Sequence, residues 1–353
     1  EFIYTLNSKY NNETNKQENY LIITKAWPAE EMKIISKNDL GSVQASEMFI
    51  NENKLLLIGT KNYYYDIYAA QEKIAAENPE LNSEQIEQVA YNETMAKISD
   101  RIMPYYGSIS IVQVYDIQDK EKIVLEKSIE FQGNYVSSRK INDIVYFVLS
   151  QYAQINYYEN SRNIEEIALP QIKEDDSNFT NAVECNETKC DISYLEPAQS
   201  QNFILVASIS MNSLTLEKQL IIGQGENVYA SQNNLYIAET EWSRERIPMI
   251  ESLVRMPSSE NTLIHKFNLD NGKINYQGYG IARGHILNQF SMDEFNDNFR
   301  IATTQNNQSL GTREFANTTS NNVFVFNKEM KQIGLLEGLA PGESIYSVRF
   351  MGE

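Results

Sequence analysis

Hydrophobic and polar residues alternate along most of this chain in short segments separated by turns rich in Asn, Asp and Gly. A period of two places every second side chain on the same face, so the pattern predicts β-strands with one buried face. Many segments come in pairs joined by a short polar turn, as in β-hairpins. We predict such hairpins at 20–24 with 32–36, 108–117 with 123–133, 203–210 with 214–223, 262–269 with 273–280, and 322–326 with 332–338.

A second pattern, made of a short strand, an Asn-rich turn and an apolar strand, precedes most of these hairpins. Its copies lie at 47–59, 135–148, 228–238 and 286–302, and a fifth begins at 345–350. Pattern and hairpin together make a unit of four strands, and repeated units of this kind indicate a β-propeller. We therefore expect an all-β fold of four-stranded antiparallel blades, five or more in number, over residues 1–353. The alternative is a large irregular all-β protein.

Two units are longer than the others because each carries an insertion. The first insertion, at about 62–106 in the second blade, is predicted to be helical, since Asn82 can cap a helix and Gln85 lies three residues later. A shorter helix is expected before it, at about 67–76. The predicted apolar face of the second helix consists of Ile86, Val89, Ala90, Ile98 and Ile102. We expect these helices to pack over a blade.

The second insertion, at about 152–201 in the third blade, is polar and contains both cysteines of the chain, Cys185 and Cys190. Such a stretch is typical of a surface loop. A local disulfide between the two cysteines explains their spacing better than half of a zinc site, which needs two further ligands.

The chain has 30 basic and 48 acidic residues, and its formal net charge is −18. This charge argues against a nucleic-acid binder, which needs a basic surface for phosphate contacts. The sequence also lacks an apolar run long enough for a membrane-spanning helix. We expect a globular protein with no membrane span in this chain.

Six Asn-x-Ser/Thr motifs are candidate glycosylation sites, and together with the cysteine pair they favour an extracellular or cell-surface protein. The chain begins without Met or an apolar signal segment, so we expect any export signal to have been removed or to lie upstream. The candidate sites are Asn12, Asn92, Asn178, Asn186, Asn307 and Asn317.

Few residues are candidates for catalysis. A nucleophilic Ser, Cys or Thr needs a base, and the histidines available are His265, on a predicted strand, and His285, which begins a predicted inner strand. The sequence has no Gly-x-Ser-x-Gly motif. The glycines at 278–284 resemble a dinucleotide-binding fingerprint, but they lie between strands rather than before a helix, so we assign them to a turn between blades.

Three carboxylates within a short segment, Asp293, Glu294 and Asp297, are candidate ligands for Ca²⁺, a cation that collects six to eight oxygens. Their spacing does not match an EF-hand loop. The alternative is a solvated acidic turn with no cofactor, which an acidic protein contains many times over.

Residues 287–294 with 300–304, and 336–343 running into 345–352, resemble a family of secreted archaeal and bacterial proteins with a C-terminal β-propeller domain, distantly WD40-like. The opening residues 2–4 and 27–31 fit the same pattern, so the resemblance spans nearly the whole chain. It implies a propeller fold but no established biochemical activity, and no catalytic residues can be transferred from it.

Members of that family continue past the segment at 349–352 with further blades. We therefore expect either that this chain is a fragment, with blades that are absent or supplied by another chain, or that 345–350 closes onto the first blade in a five-bladed ring.

The sequence leaves three hypotheses for function. We favour a noncatalytic extracellular propeller that acts as an interaction scaffold for a protein or cell-surface partner. The second is a propeller hydrolase or lyase that uses carboxylates in the channel, with or without calcium; it requires Asp or Glu side chains that converge on a central pocket. The third is a structural subunit of a cell-surface assembly.

Overall fold

The computed structural model describes residues 1–11, 16–95, 108–152, 154–155, 167–184, 192–193, 202–223, 225–243, 259–308 and 317–352. Most of these residues lie in strands, and five principal sheets follow one another along this described part of the chain. Each sheet is called a blade and is numbered in chain order.

Blade 1 is a three-stranded antiparallel sheet, and its second and third strands confirm the predicted first hairpin with wider bounds. Its first strand was not predicted. A short 3-10 helix, Ala29–Glu31, connects the second strand to the third. The strands are β1 (Phe2–Asn11), β2 (Lys16–Lys25) and β3 (Lys33–Asp39).

Blade 2 contains the four expected strands in consecutive antiparallel order, with two helices between the second and the third. Strand β5 is buried on both faces: Leu55 and Leu57 pack towards blade 1, while Leu56 and Ile58 pack towards blade 3. Its elements are β4 (Val43–Asn51), β5 (Lys54–Asn62), α1 (Tyr63–Glu77), α2 (Ser83–Met95), β6 (Ser108–Asp116) and β7 (Val124–Phe131).

The start of α2 forms the predicted capping box. The Gln85 backbone N–H donates to Asn82 Oδ1 (2.9 Å), and the Asn82 backbone N–H donates to Gln85 Oε1 (3.0 Å). Both helices pack against Ile109 at the start of β6. Ala90 is buried as predicted, whereas the prediction for Val89 is wrong, because its side chain is 37% exposed. Ile98 and Ile102 lie outside the described residues.

Blade 3 again has four principal strands, but a long insertion separates the second from the third. The hairpin predicted at 203–223 is confirmed, since its two strands pair antiparallel. The elements in chain order are β8 (Asn134–Ile141), β9 (Ile144–Gln151), β10 (Gln154–Ile155), β11 (Ile167–Ala168), β12 (Gln171–Glu174), β13 (Thr180–Asn181), β14 (Ile192–Ser193), β15 (Phe203–Ser210) and β16 (Leu216–Ile222).

Part of this insertion is strand rather than the predicted surface loop. Strand β12 pairs with β7 at the outer edge of blade 2, where Ile172 lies opposite Phe131, and β14 pairs in parallel with β16 of blade 3. Ile172 and Ala182 are buried in the core between these blades. The insertion thus covers sheet edges whose backbone groups would otherwise remain unpaired.

Blades 4 and 5 are four-stranded antiparallel sheets with the predicted strand order. A short 3-10 helix, Gln289–Ser291, precedes the first strand of blade 5. The strands are β17 (Asn227–Ala230), β18 (Asn234–Ser243), β19 (Ser259–Asp270), β20 (Lys273–Arg283), β21 (Met292–Phe295), β22 (Asn298–Gln308), β23 (Asn317–Phe326) and β24 (Gln332–Leu339).

Residues 340–352, which we call the C-terminal segment, contain no assigned strand, contrary to the prediction for 345–350. The hydrogen bonds found for this segment within the described residues hold it to blade 5. The Ile345 backbone N–H donates to Thr304 Oγ1 (3.1 Å), and Thr319 Oγ1 donates to the Glu343 carbonyl (2.9 Å). The backbone there therefore runs beside blade 5 without pairing as a new sheet edge.

Four clusters of buried apolar side chains lie between successive blades: 1 and 2, 2 and 3, 3 and 4, and 4 and 5. This face-to-face packing of consecutive antiparallel sheets confirms the predicted all-β propeller fold. The described residues form no such cluster between blades 5 and 1.

Neither helix in the described ranges has the length and apolar content needed to span a membrane.

The packing between blades 2 and 3 predicts the effect of a core substitution. Phe131 is fully buried and meets Phe147 of blade 3 edge to face, with ring centroids 5.3 Å apart. Phe131→Ala should lower the free energy of unfolding by about 3–5 kcal/mol, because a large cavity remains. Chemical denaturation measures the change. Val124→Ala is the control, since Val124 is exposed on the same strand. Equal effects of the two substitutions would contradict the proposed packing.

Candidate functional site

The first strands of blades 3, 4 and 5 converge with the C-terminal segment around a cavity of about 330 Å³. We call it the channel pocket. Its volume lies at the lower end of the range for small-molecule sites. Its polar and aromatic residues include Arg139, Tyr229, Phe290, Asp293, Arg349 and Phe350. Its apolar lining includes three residues that are almost fully buried between blades 3 and 4: Val148, Val228 and Leu235.

Asp293 is the one carboxylate among the described residues that line this pocket, and Arg300 neutralises it. Arg300 Nε donates to Asp293 Oδ2 at 2.9 Å, and Nη2 makes a second, shorter contact with the same oxygen. The guanidinium lies 5.1 Å from the ring centroids of both Phe295 and Phe350. Its Nη1 donates to the Gly352 carbonyl (2.8 Å), so Arg300 also holds the C-terminal segment against blade 5.

Arg139 and Arg349 enter the pocket from two different elements, β8 and the C-terminal segment. Within the described residues, neither side chain forms a hydrogen bond or an ion pair. Burial raises the pKa of the Tyr229 phenol, and the charge of Arg139 opposes that rise. The Tyr229 hydroxyl accepts a hydrogen bond from the Glu294 backbone N–H (3.1 Å), so its own proton remains able to donate.

Glu294 points away from the channel pocket into the interface between blades 4 and 5. Its carboxylate accepts two hydrogen bonds from Asn234 Nδ2 (3.0 and 3.1 Å) and one from the Tyr236 hydroxyl (2.8 Å). Burial, reinforced by the charge of Glu294, raises the pKa of Tyr236 far above its usual value. Tyr236 therefore stays protonated as a donor.

A buried lysine lies beside these residues. We call the four residues together the interface cluster: Asn234, Tyr236, Lys266 and Glu294. Lys266 is 5% exposed, and its Nζ donates to the Lys328 carbonyl (3.0 Å) while lying 5.7 Å from the Tyr236 ring centroid. Burial lowers the pKa of Lys266, and the carboxylate of Glu294 opposes that shift. The cluster links the blades through charge and hydrogen bonds as well as apolar contact.

The structure does not bring the three candidate calcium ligands together in one site. Asp293 pairs with Arg300, Glu294 is turned towards Asn234 and Tyr236, and Asp297 lies in an exposed turn. Adjacent residues of a strand point to opposite faces, which separates the first two. In the described part of the chain no group of three His, Cys, Asp or Glu side chains is arranged to hold a metal ion.

Both histidines lie outside the lining of the channel pocket. His265 is fully buried on its sheet, with Nε2 at 3.5 Å from Glu239 Oε1. His285 Nδ1 lies 2.9 Å from Glu260 Oε1, but this contact lacks the geometry of a hydrogen bond. We therefore assign His265 to the sheet core and His285 to the contact between blades 4 and 5, where its backbone bridges to Thr304.

Gly280 and Gly284 serve blade packing. The prediction that the glycines at 278–284 form a turn between blades is wrong for Gly278 and Gly280, which lie within β20. A Cβ at Gly280 would lie 2.9 Å from the Phe326 ring of blade 5, and a Cβ at Gly284 would lie 2.4 Å from the Thr304 carbonyl oxygen. Gly284 also has a positive φ of 87°. Close approach of blade 5, rather than phosphate binding, thus explains these two positions.

The predicted disulfide between Cys185 and Cys190 falls outside the described residues, as do the candidate glycosylation sites Asn12 and Asn186. Asn92 on α2 and Asn178 after β12 are exposed. Asn307 and Asn317 lie on β22 and β23. Occupancy of these sites stays a prediction.

Sequence reasoning missed Arg139 and Arg349 as site residues. They are more than two hundred positions apart in the chain, and their immediate neighbours resemble other strand positions. The signal that could have identified them is their position in the repeat, since both belong to copies of the first-strand pattern, which faces the channel in a propeller.

The interface cluster predicts the outcome of removing one charge. Glu294→Gln replaces an acceptor with an amide whose N–H₂ faces the donors of Asn234 and Tyr236. We expect the free energy of unfolding to fall by about 1–3 kcal/mol, the usual penalty for an unsatisfied buried group. Chemical denaturation provides the measurement. Glu343→Gln, an exposed carboxylate of the C-terminal segment, is the control and should change stability by less than about 0.5 kcal/mol. A neutral Glu294→Gln would refute the role of this cluster.

Comparisons with known proteins identify relatives over part of the chain. A 94-residue region is 40% identical to an uncharacterized protein of Methanocaldococcus jannaschii, and it covers 27% of this chain and 14% of that protein. A 94-residue match to an uncharacterized protein of Archaeoglobus fulgidus is 32% identical and covers 27% of this chain and 13% of the relative. The chain thus matches only a small part of the length of these two relatives.

Comparison with solved structures matches an acylaminoacyl peptidase of Pyrococcus horikoshii, with 9% identity and a TM-score of 0.36 over 94% of this chain and 38% of that one. An ACO/RPE65 chimera gives 9% identity and a TM-score of 0.29 over 95% and 57% of the two chains. Such low scores carry no argument about fold or function. A family model described as a β-propeller domain matches residues 1–353, and the protein therefore belongs to the β-propeller domain family.

Proposed function

We propose that this propeller is a noncatalytic interaction scaffold of an extracellular or cell-surface protein. The observation that carries the proposal is the composition of the channel pocket: its lining contains one carboxylate, Asp293, which Arg300 already neutralises. A hydrolase or lyase that works by paired carboxylates needs a second acidic group at a defined distance. The described lining offers Arg139 and Arg349 instead, which are suited to binding.

The helical insertion supports a scaffold role as well. Helices α1 and α2 use their buried residues to pack on blade 2, yet they leave Tyr68 and Tyr91 substantially exposed (57% and 44%). Tyrosines of this kind are enriched in protein interfaces, because they combine apolar area with a hydrogen-bonding hydroxyl. We propose that a protein partner contacts this part of the molecule.

The proposal of an extracellular location is supported by the sequence motifs. Asn92 and Asn178 are exposed, as glycan attachment requires, and the two cysteines favour an oxidising compartment.

The scaffold proposal predicts no turnover. Nitrophenyl acetate, nitrophenyl glycosides and nitrophenyl phosphate should each be hydrolysed at the rate of buffer alone, because no described acid and base converge on the pocket. Absorbance of released nitrophenol measures the rate. Asp293→Asn serves as the matched variant and should give the same background. Hydrolysis by the wild-type chain that falls about tenfold or more in Asp293→Asn would overturn the proposal in favour of catalysis by the channel carboxylate.

A second candidate role, as a structural subunit, is favoured by apolar residues exposed on or beside the first and last blades. On blade 1 and its connection, Trp27, Met32 and Ile34 are 60–65% exposed. On blade 5, Ile333 and Leu336 are 59% and 61% exposed. Propeller blades normally bury such side chains against a neighbour. We propose that further blades, from the same polypeptide or another chain, cover these residues.

Fluorescence of the neutral dye Nile red tests whether these residues are covered in the native protein. The isolated chain should enhance the emission strongly, and Ile34→Ser combined with Leu336→Ser should reduce this enhancement by about half or more. Tyr68→Ser is the control, because it removes an exposed aromatic group elsewhere. The polypeptide purified from its native source should give little emission per propeller. Equal emission from the native polypeptide and the isolated chain would show that nothing covers these residues.

A further inference from the structure

The channel pocket has a charge opposite to that of the protein as a whole. The chain carries a formal net charge of −18, but the charged residues lining the pocket are two arginines and one aspartate. Because Arg300 neutralises Asp293, both guanidinium charges remain uncompensated there. A positive pocket in an acidic protein focuses negative ligands at that place and repels them elsewhere.

The two guanidinium groups are available to a ligand. Arg139 on β8 and Arg349 on the C-terminal segment form no hydrogen bond or ion pair with any described residue. A guanidinium stays charged at all relevant pH values and presents a planar set of donors that matches both oxygens of a carboxylate. Arginines that approach from two elements can therefore hold one anionic group between them.

The other residues of the lining indicate which chemical group is attached to the anion of the ligand. Phe290 and Phe350 present aromatic rings, and Phe290 is 66% exposed. These rings provide the accessible apolar surface, because the aliphatic residues of the lining are already almost fully buried between blades 3 and 4: Val148, Val228 and Leu235. A small hydrated anion would leave these rings in contact with water. An anion with an attached hydrocarbon group would cover part of the ring surface, at a gain of about 25 cal/mol for each Å² of apolar surface buried.

We propose that the channel pocket binds a carboxylate attached to an apolar group, with Arg139 and Arg349 on the carboxylate and the phenyl rings of Phe290 and Phe350 on the hydrocarbon. This inference rests on the proposed scaffold function and names the chemistry that the scaffold recognises. Two sources carry that chemistry: a free aromatic or aliphatic acid, and the terminal carboxylate of a polypeptide ending in an apolar residue. The pocket volume of about 330 Å³ accommodates one such group.

Calorimetric titration with phenylpropionate and with its neutral amide tests the proposal on the full chain. The acid should bind about tenfold or more tightly than the amide, because the amide offers no negative charge to the arginines. Inorganic phosphate and acetate should bind more weakly than phenylpropionate, since neither covers the rings of Phe290 and Phe350. Equal binding of acid and amide, or tighter binding of phosphate, would overturn the proposal.

Matched variants identify the site. Arg139→Gln and Arg349→Gln should each weaken phenylpropionate binding by about fivefold, and both together should abolish it. Lys140→Gln removes the same charge from the next residue of β8, outside the pocket lining, and should leave binding unchanged. Because both arginines are exposed, neither substitution should prevent folding. A loss in Lys140→Gln equal to that in Arg139→Gln would show that overall charge, rather than this pocket, governs binding.

A short peptide ending in Gly-Gly-Phe separates the two sources of the carboxylate. If the polypeptide terminus is the ligand, the free-acid peptide should bind more tightly than phenylpropionate, and its C-terminally amidated form should not bind. If the free acid is the ligand, phenylpropionate should bind more tightly than the peptide. Failure of all these ligands to bind would refute this inference alone, whereas turnover of the nitrophenyl substrates would refute the scaffold function on which it rests.

Discussion

A β-sheet with apolar residues on both faces cannot be stable alone, and this constraint organises the whole molecule. Strand β5 illustrates it, because Leu55 and Leu57 project to one side of blade 2 while Leu56 and Ile58 project to the other. Each such strand requires a neighbouring sheet on both sides. Repetition of the requirement along the chain produces a row of sheets packed face to face, and it brings their first strands together where the channel pocket forms.

Apolar contact alone does not determine the relative position of two packed sheets, because apolar faces can shift relative to one another. Polar groups at the interfaces determine how neighbouring sheets are aligned. Glu294 of blade 5 accepts hydrogen bonds from Asn234 and Tyr236 of blade 4, and the absence of a side chain at Gly280 admits the ring of Phe326. These interactions favour one relative position of the blades and thereby set the position of the residues that line the pocket.

Much of the fold could be predicted from sequence, because strands, turns and capping boxes depend on residues close together in the chain. The repeated four-strand pattern and the pair Asn82 and Gln85 are examples. The site was harder to predict, since Arg139 and Arg349 come to line one pocket only after three blades have packed. The acidic segment at 293–297 suggested a metal site, but strand geometry turns its carboxylates apart, and their partners come from other strands. The addition of β12 to blade 2 was also missed, because edge pairing depends on a sheet formed earlier in the chain.

That added strand has a mechanical consequence. Strand β12 follows the second strand of blade 3 in the chain, but it pairs with the last principal strand of blade 2. Lys127 strengthens this junction through ion pairs with Glu174 and Asp175. The backbone therefore crosses from one blade to its neighbour and back before the later blade is finished. Because this one stretch of backbone is hydrogen-bonded into both blades, we expect tension along the polypeptide to unfold blades 2 and 3 together. In the described residues, the other blades share no strand with a neighbour, so we expect them to unfold separately.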